Sequence, residues 1–142
     1  MFKNTEFTDK LRSSGLRPTK QRLKICEVLF NRDHTFHFTI NDLAKNISEE
    51  LNERISLATV YNTVHAFKKK GYLKEISINS DKSYFDTNTT NHHHFFDEDT
   101  NELIDCDDGI IETPKIKKNI SGKRINSVEV LVKVATDNQN QK

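Results

Sequence analysis

At 142 residues, with 34% hydrophobic and 30% charged residues and a mean hydropathy of −0.75, the chain allows one ordinary domain or two very small ones with modest cores. No stretch is apolar enough to span a bilayer, Met1 to Glu6 lacks the apolar run of a signal peptide, and Cys26 and Cys106 alone build no disulfide framework, so a cytoplasmic protein with no membrane partner is expected. The net charge of +1 conceals an asymmetry: residues 1–87 hold 15 Lys+Arg against 11 Asp+Glu and residues 88–142 hold 7 against 10, so only the first half suits an anionic polymer.

Residues Thr5 to Ser14 suit a short amphipathic helix with Phe7 and Leu11 on one side and Gly15 ending it. Pro18 opens a second helix running to about Asn31, whose apolar positions are Leu23, Cys26, Val28, Leu29 and Phe30. Cys26 reads as buried filler. Lys20, Arg22 and Lys24 lie near its start, where they suit either phosphate or a solvated face. Thr39 is an N-cap, and Ile40, Leu43, Ala44, Ile47 and Leu51 stripe a third helix. Ser56 is a second N-cap, followed by a buried face of Leu57, Val60, Val64, Phe67 and Gly71. Ala58, Tyr61, Asn62, His65, Lys68 and Lys69 fall opposite, a mixture of small, aromatic, amide and basic groups that suits a major groove.

After Gly71 the period changes to two. Tyr72 to Ile78, a turn at Asn79 to Asp81, and Lys82 to Phe85 read as a β-hairpin. Three helices and a hairpin in that order make a winged helix-turn-helix. Further strands are expected at His92–Phe96, Glu102–Cys106 and Ser127–Ala135, whereas Asp107–Gly122 is interrupted by Pro114 and carries no clear period. The fold class expected is therefore α+β. An N-terminal winged-helix DNA-binding domain (1–87) precedes a small α/β dimerisation and ligand-sensing domain (88–136) and a disordered tail (137–142). The second core is too small to stand alone, and sheet pairing between two copies would complete it.

Between the halves lies Asp86 to His94, ending in three histidines. In a strand, residues two apart share a face, so His92 and His94 form a pincer while His93 points the other way. Asp86 ends one half and Asp105 lies on the next strand. Imidazole and carboxylate together suit a divalent transition metal, and imidazole also suits haem iron. Solvated surface is the plain alternative for such a run.

These residues resemble the ferric uptake regulator family of dimeric winged-helix repressors. Gly15 to Arg22, GLRPTKQR, is similar to the family's N-terminal signature; Ser56 to Thr63, SLATVYNT, resembles its recognition helix, and His92-His-His94 falls at its His-x-His. The resemblance implies a regulatory site of His37, Asp86, His92, His94 and Asp105 for Fe²⁺, Mn²⁺ or Zn²⁺. It also implies that the family's Cys₄ structural zinc is missing, because Asp97 and Thr100 stand where its first cysteine pair would be. That departure, with the triple histidine, resembles the iron response regulator branch, for which the resemblance implies haem at His92, His93 and His94.

The function expected is thus an iron-responsive transcriptional regulator, not an enzyme. It would bind pseudo-palindromic operators of iron and haem metabolism genes on double-stranded DNA as a homodimer, with haem relieving binding. Ala58, Thr59, Tyr61, Asn62 and His65 are expected nearest base edges and Lys20, Lys69 and Lys82 near phosphates. The alternative is an Fe²⁺- or Mn²⁺-dependent corepressor type, or a peroxide-sensing one, on the same five ligands. A hydrolase built on His92, His94 and Asp105 lacks a His-Glu-x-x-His motif or nucleophile elbow. A winged helix that binds only protein is separated from a DNA reader by altering Tyr61 and Lys69.

Overall fold

The computed structural model describes residues 4–138; the first three residues of the non-apolar start and the last four of the expected tail lie outside the described residues. The chain divides into two compact units, Met1–Thr89 and Thr90–Lys142.

The first unit runs α1 (Asn4–Ser13), α2 (Lys20–Phe30), β1 (His37–Phe38), α3 (Ile40–Leu51), α4 (Leu57–Lys70), β2 (Lys74–Ser77) and β3 (Ser83–Asp86). Local chemistry sets the helix ends. Thr19 caps α2 by accepting the Arg22 N–H, so Pro18 stands just outside the helix it was expected to open. Thr39 and Asp42 form a capping box at α3, and Asn52 ends that helix in the left-handed region. Ser56 caps α4, and Gly71 closes it at φ +93°, a conformation that a side chain would strain.

Phe7 and Leu11 of α1, Ile25 and Leu29 of α2, Leu43 and Ile47 of α3, and Val60, Val64 and Phe67 of α4 share one core. Leu57 does not join it. As the first residue of α4 it is 52% exposed, over a surface groove with Ala44, Ser48 and Ile55. Thr63 takes an inward position instead, fully buried, its hydroxyl donating to the Thr59 carbonyl at 2.8 Å. The strands form an antiparallel sheet in the order β1-β3-β2, with His37 opposite Asp86 on one side and Lys74 opposite Asp86 on the other. β1 is an addition to the sequence reading, too short at two residues to show a period.

The second unit's sheet has the order β5-β4-β6, from β4 (His94–Asp97), β5 (Glu102–Asp105) and β6 (Leu131–Val134). β4 and β5 form a tight antiparallel hairpin, its turn held by Asp97 accepting the N–H groups of Asp99 and Thr100. β6 joins β4 in parallel. The ladder starts at His94 rather than His92, and β6 is shorter than the expected Ser127–Ala135. Residues 107–130 contain turns but no helix or strand.

Candidate metal centre and nucleic-acid interface

The first unit brings together one imidazole and one carboxylate. The β1–β3 register sets His37 beside Asp86, and Nε2 of the ring lies 3.0 Å from Oδ2. Asp86 is fully buried, and its other oxygen accepts the Asn88 N–H at 2.8 Å. The Lys74 ammonium flanks it across β2–β3; burial holds this amine below the usual lysine range, with the Asp86 charge pulling the other way. A buried carboxylate needs cationic company, and this one has an imidazole and an amine beside it. Sequence reasoning passed over Lys74, whose signal was its place in the hairpin register.

The second unit brings together His92, His94 and Asp105, whose ligating atoms lie within 4.8 Å of one another. Pairing of β4 with β5 sets His94 directly opposite Asp105, and Nε2 of His94 lies 3.1 Å from Oδ1. Nε2 of His92 lies 3.0 Å from the same oxygen, and the two rings are 4.3 Å apart between centroids. The tautomer of His92 follows from its other nitrogen. The Thr90 carbonyl only accepts, so Nδ1 carries the hydrogen and donates to it at 2.7 Å. A neutral ring then presents a lone pair from Nε2 to the lone pairs of Asp105. At 3.0 Å these repel unless a proton or a metal ion stands between them. The donor set of imidazole nitrogens and carboxylate oxygen is one that Fe²⁺, Mn²⁺ and Zn²⁺ accept.

His93 faces elsewhere. The Val130 N–H donates to its Nδ1 at 2.8 Å, so the hydrogen sits on Nε2 and is donated to the Thr113 hydroxyl at 2.9 Å. Both ring nitrogens therefore serve to hold residues 113 and 130 against the start of β4. Cys106, half-buried, shares a cavity of about 170 Å³ with His92, His93 and Asp107.

The α4 face away from the core mixes exposed and half-buried side chains. Ala58, Tyr61, Asn62 and Lys69 are exposed, and Thr59 is half-buried with its hydroxyl 2.8 Å from the capping Ser56. His65 is also half-buried, its ring packed 4.1 Å from Tyr61 and edge-on to Phe85. A groove of about 440 Å³ beside the start of α4 is lined by Arg17, Lys20, Arg22 and Thr59. Arg17 was not singled out from the sequence; its place in the GLRPTKQR stretch was the available signal. Lys24, by contrast, is engaged by Glu53. Lys82 lies on the hairpin with its ammonium 5.4 Å from the Tyr84 ring.

The family model described as "Ferric uptake regulator family" matches residues 13–134. The chain belongs to that family. Among ferric uptake regulator relatives it is 37% identical over 95 residues to the peroxide-responsive repressor PerR of Staphylococcus aureus, an alignment covering 67% of this chain and 62% of the relative. The chain thus spans less than two thirds of the length of that curated relative. The family fold extends further. The ferric uptake regulator of Vibrio cholerae superposes with a TM-score of 0.69 at 24% identity, over 91% of this chain and 98% of that one. The ferric uptake regulator of Pseudomonas aeruginosa with manganese gives 0.67 at 25% identity, over 92% and 97%. The α+β class and the order of a helical N-terminal part followed by a small sheet are those of the family.

Proposed function

We propose that this chain is a homodimeric transcription regulator that reads iron status. α4 would enter the major groove of a pseudo-palindromic operator with Ala58, Thr59, Tyr61, Asn62 and His65 toward the bases, and Lys20, Lys69 and Lys82 would meet phosphates. His92, His94 and Asp105 would hold one divalent ion, with His37 and Asp86 as the further ligands that the family resemblance implies. Such an ion supplies the positive charge that clustered carboxylate and neutral imidazole ligands lack. The observation carrying this reading is the convergence of His92 and His94 on one oxygen of Asp105, with the hydrogen of His92 already committed to Thr90. The manganese of the Pseudomonas aeruginosa relative and the peroxide response of the Staphylococcus aureus repressor support metal sensing, with oxidation as one route of release.

A second reading follows the iron response regulator resemblance. There haem, taken up at His92, His93 and His94, relieves DNA binding at operators of iron and haem metabolism genes. The sequence favours it through the triple histidine and the loss of the paired cysteines at Asp97 and Thr100. The ring of His93 is spent on Val130 and Thr113, so ligation would fall to its neighbours or require those bonds to break. The test is binding of the purified full chain to a palindromic duplex that it selects from a random pool, titrated with Mn²⁺ or with haem under chelation. Binding that requires Mn²⁺, weakened at least about tenfold by His92→Ala or Asp105→Ala, supports the divalent-ion reading. Metal-free binding released by haem supports the second. Binding insensitive to both, or unchanged by Tyr61→Ala with Lys69→Ala, overturns the assignment.

A further inference from the structure

Among the described residues Asp86 is the only acidic side chain that is buried, and the first unit's sheet supplies its neighbours. The strand order β1-β3-β2 sets His37, Asp86 and Lys74 directly opposite one another, and residues paired in this way share one face of a sheet. The next row, Phe38 with Phe85, points to the opposite face and belongs to the helical core. A carboxylate therefore lies in one row between an imidazole and an ammonium. Its Oδ2 faces Nε2 of His37 at 3.0 Å, and its Oδ1 accepts the Asn88 N–H at 2.8 Å. A backbone N–H brings no net charge, whereas the half-buried Lys74 does, and its charge acts on Asp86 across the β2–β3 ladder.

Lys74 differs from other lysines of this unit. Lys24, Lys45 and Lys68 pair with Glu53, Glu49 and Glu75, carboxylates that remain partly open to water, where an ion pair contributes little. A wholly buried carboxylate depends far more on the cation beside it, because water no longer shares the charge. A divalent ion on His37 and Asp86 would change that dependence. It would bring its own positive charge to Asp86, so the ammonium would no longer be needed there. It would also stand close to a charge of its own sign.

We propose that Lys74 is an internal competitor for the divalent ion, a tethered cation that neutralises Asp86 when no ion is bound and weakens the site's hold on one that is. This rests on the divalent-ion reading above and assigns the residue that sets its affinity without being a ligand. A sensor must release its ion as supply falls, and the charge around a site is one means of setting that level. The test is Mn²⁺ binding to the full chain, read as loss of the free-ion electron paramagnetic resonance signal, for Lys74→Met, Lys74→Gln and Lys74→Arg. The two neutral variants should bind Mn²⁺ at least about fivefold more tightly than the unaltered chain, since a unit charge near a dication matters that much even with water-like screening. Lys74→Arg, which keeps the charge, should stay within about twofold. Without Mn²⁺ the neutral variants should melt below the unaltered chain, and saturating Mn²⁺ should raise their melting temperatures by more than it raises that of the unaltered chain. Neutral variants that bind Mn²⁺ no more tightly than the unaltered chain overturn the proposal and leave the metal site standing. Tighter binding that Lys74→Arg shares also overturns it, by assigning the effect to side-chain shape. So do neutral variants that stay unfolded with Mn²⁺ present, because the ion then fails to take the ammonium's place. Absence of Mn²⁺ binding in the unaltered chain and in both neutral variants removes the divalent-ion reading, and the competitor with it.

Discussion

The Cys26 thiol lies wholly inside the first unit's core, where burial pushes it up from 9.0 to about 12. An acid whose folded pKa is raised adds stability that is fully present below its unfolded value and is lost as pH climbs toward the folded one. Between pH 8 and pH 10 the unfolded thiol ionises while the buried one does not, so this residue alone should remove about 1.4 kcal/mol. Urea unfolding at the two pH values checks it. Cys26→Ala should be less stable at pH 8 yet lose that much less between pH 8 and 10. At the same scale, the site separates what residue spacing conveys from what it omits. The period-two rule sends His93 away from His92 and His94, and the structure agrees. It says nothing of what receives His93, because Thr113 comes from a segment without any period and Val130 from a strand whose partner spacing does not name.

Among the elements, α4 was legible because the cap, three apolar positions at helical spacing and a terminal glycine all point to the same helix. Two residues expected on its buried face are exposed, Gly71 at the C-cap and Leu57 in the first turn, where the neighbouring elements do not yet cover the apolar side. Ser56→Ala removes the acceptor of the Thr59 N–H and should cost about 1 kcal/mol, whereas Ser56→Asp, which caps equally well, should cost little. Chemical unfolding of both variants checks it. β1 was illegible for a different reason: two residues have no alternation, and only the β3 ladder makes them a strand. The β4–β5 hairpin lay open to view in its polar turn. The parallel partnership of β6 did not, since nothing local records which strand a distant segment will join.

Across the whole molecule, 18 buried apolar side chains lie in the first unit against two in the second, counting the described residues. A core of two side chains offsets little of the entropy of ordering the second unit's backbone. A fragment of residues 1–89 should therefore keep helical circular dichroism and melt cooperatively. A fragment of residues 90–142 at micromolar concentration should show no cooperative melt. Cooperative unfolding of the second fragment under those conditions would show that it needs no partner surface. The domain order was visible in the sequence because periodicity switches from helical to alternating and the charge changes sign. The division of stability between the two was visible only as a shortage of apolar strand positions after Asp86.

The parallel pairing of β6 with β4 bears on how the protein comes into being during synthesis. Strand β4 must wait until the chain has grown through residue 131 before its sheet can close, and that closure spans more than 30 residues. The helical unit, complete in sequence by residue 89, has emerged from the ribosome by then and can fold first. His92, His94 and Asp105 are therefore made well before the strand that steadies them. β6 is translated after the whole histidine cluster, so a chain cut short before it would carry His92, His94 and Asp105 by the β4–β5 hairpin and lack the third strand that steadies it.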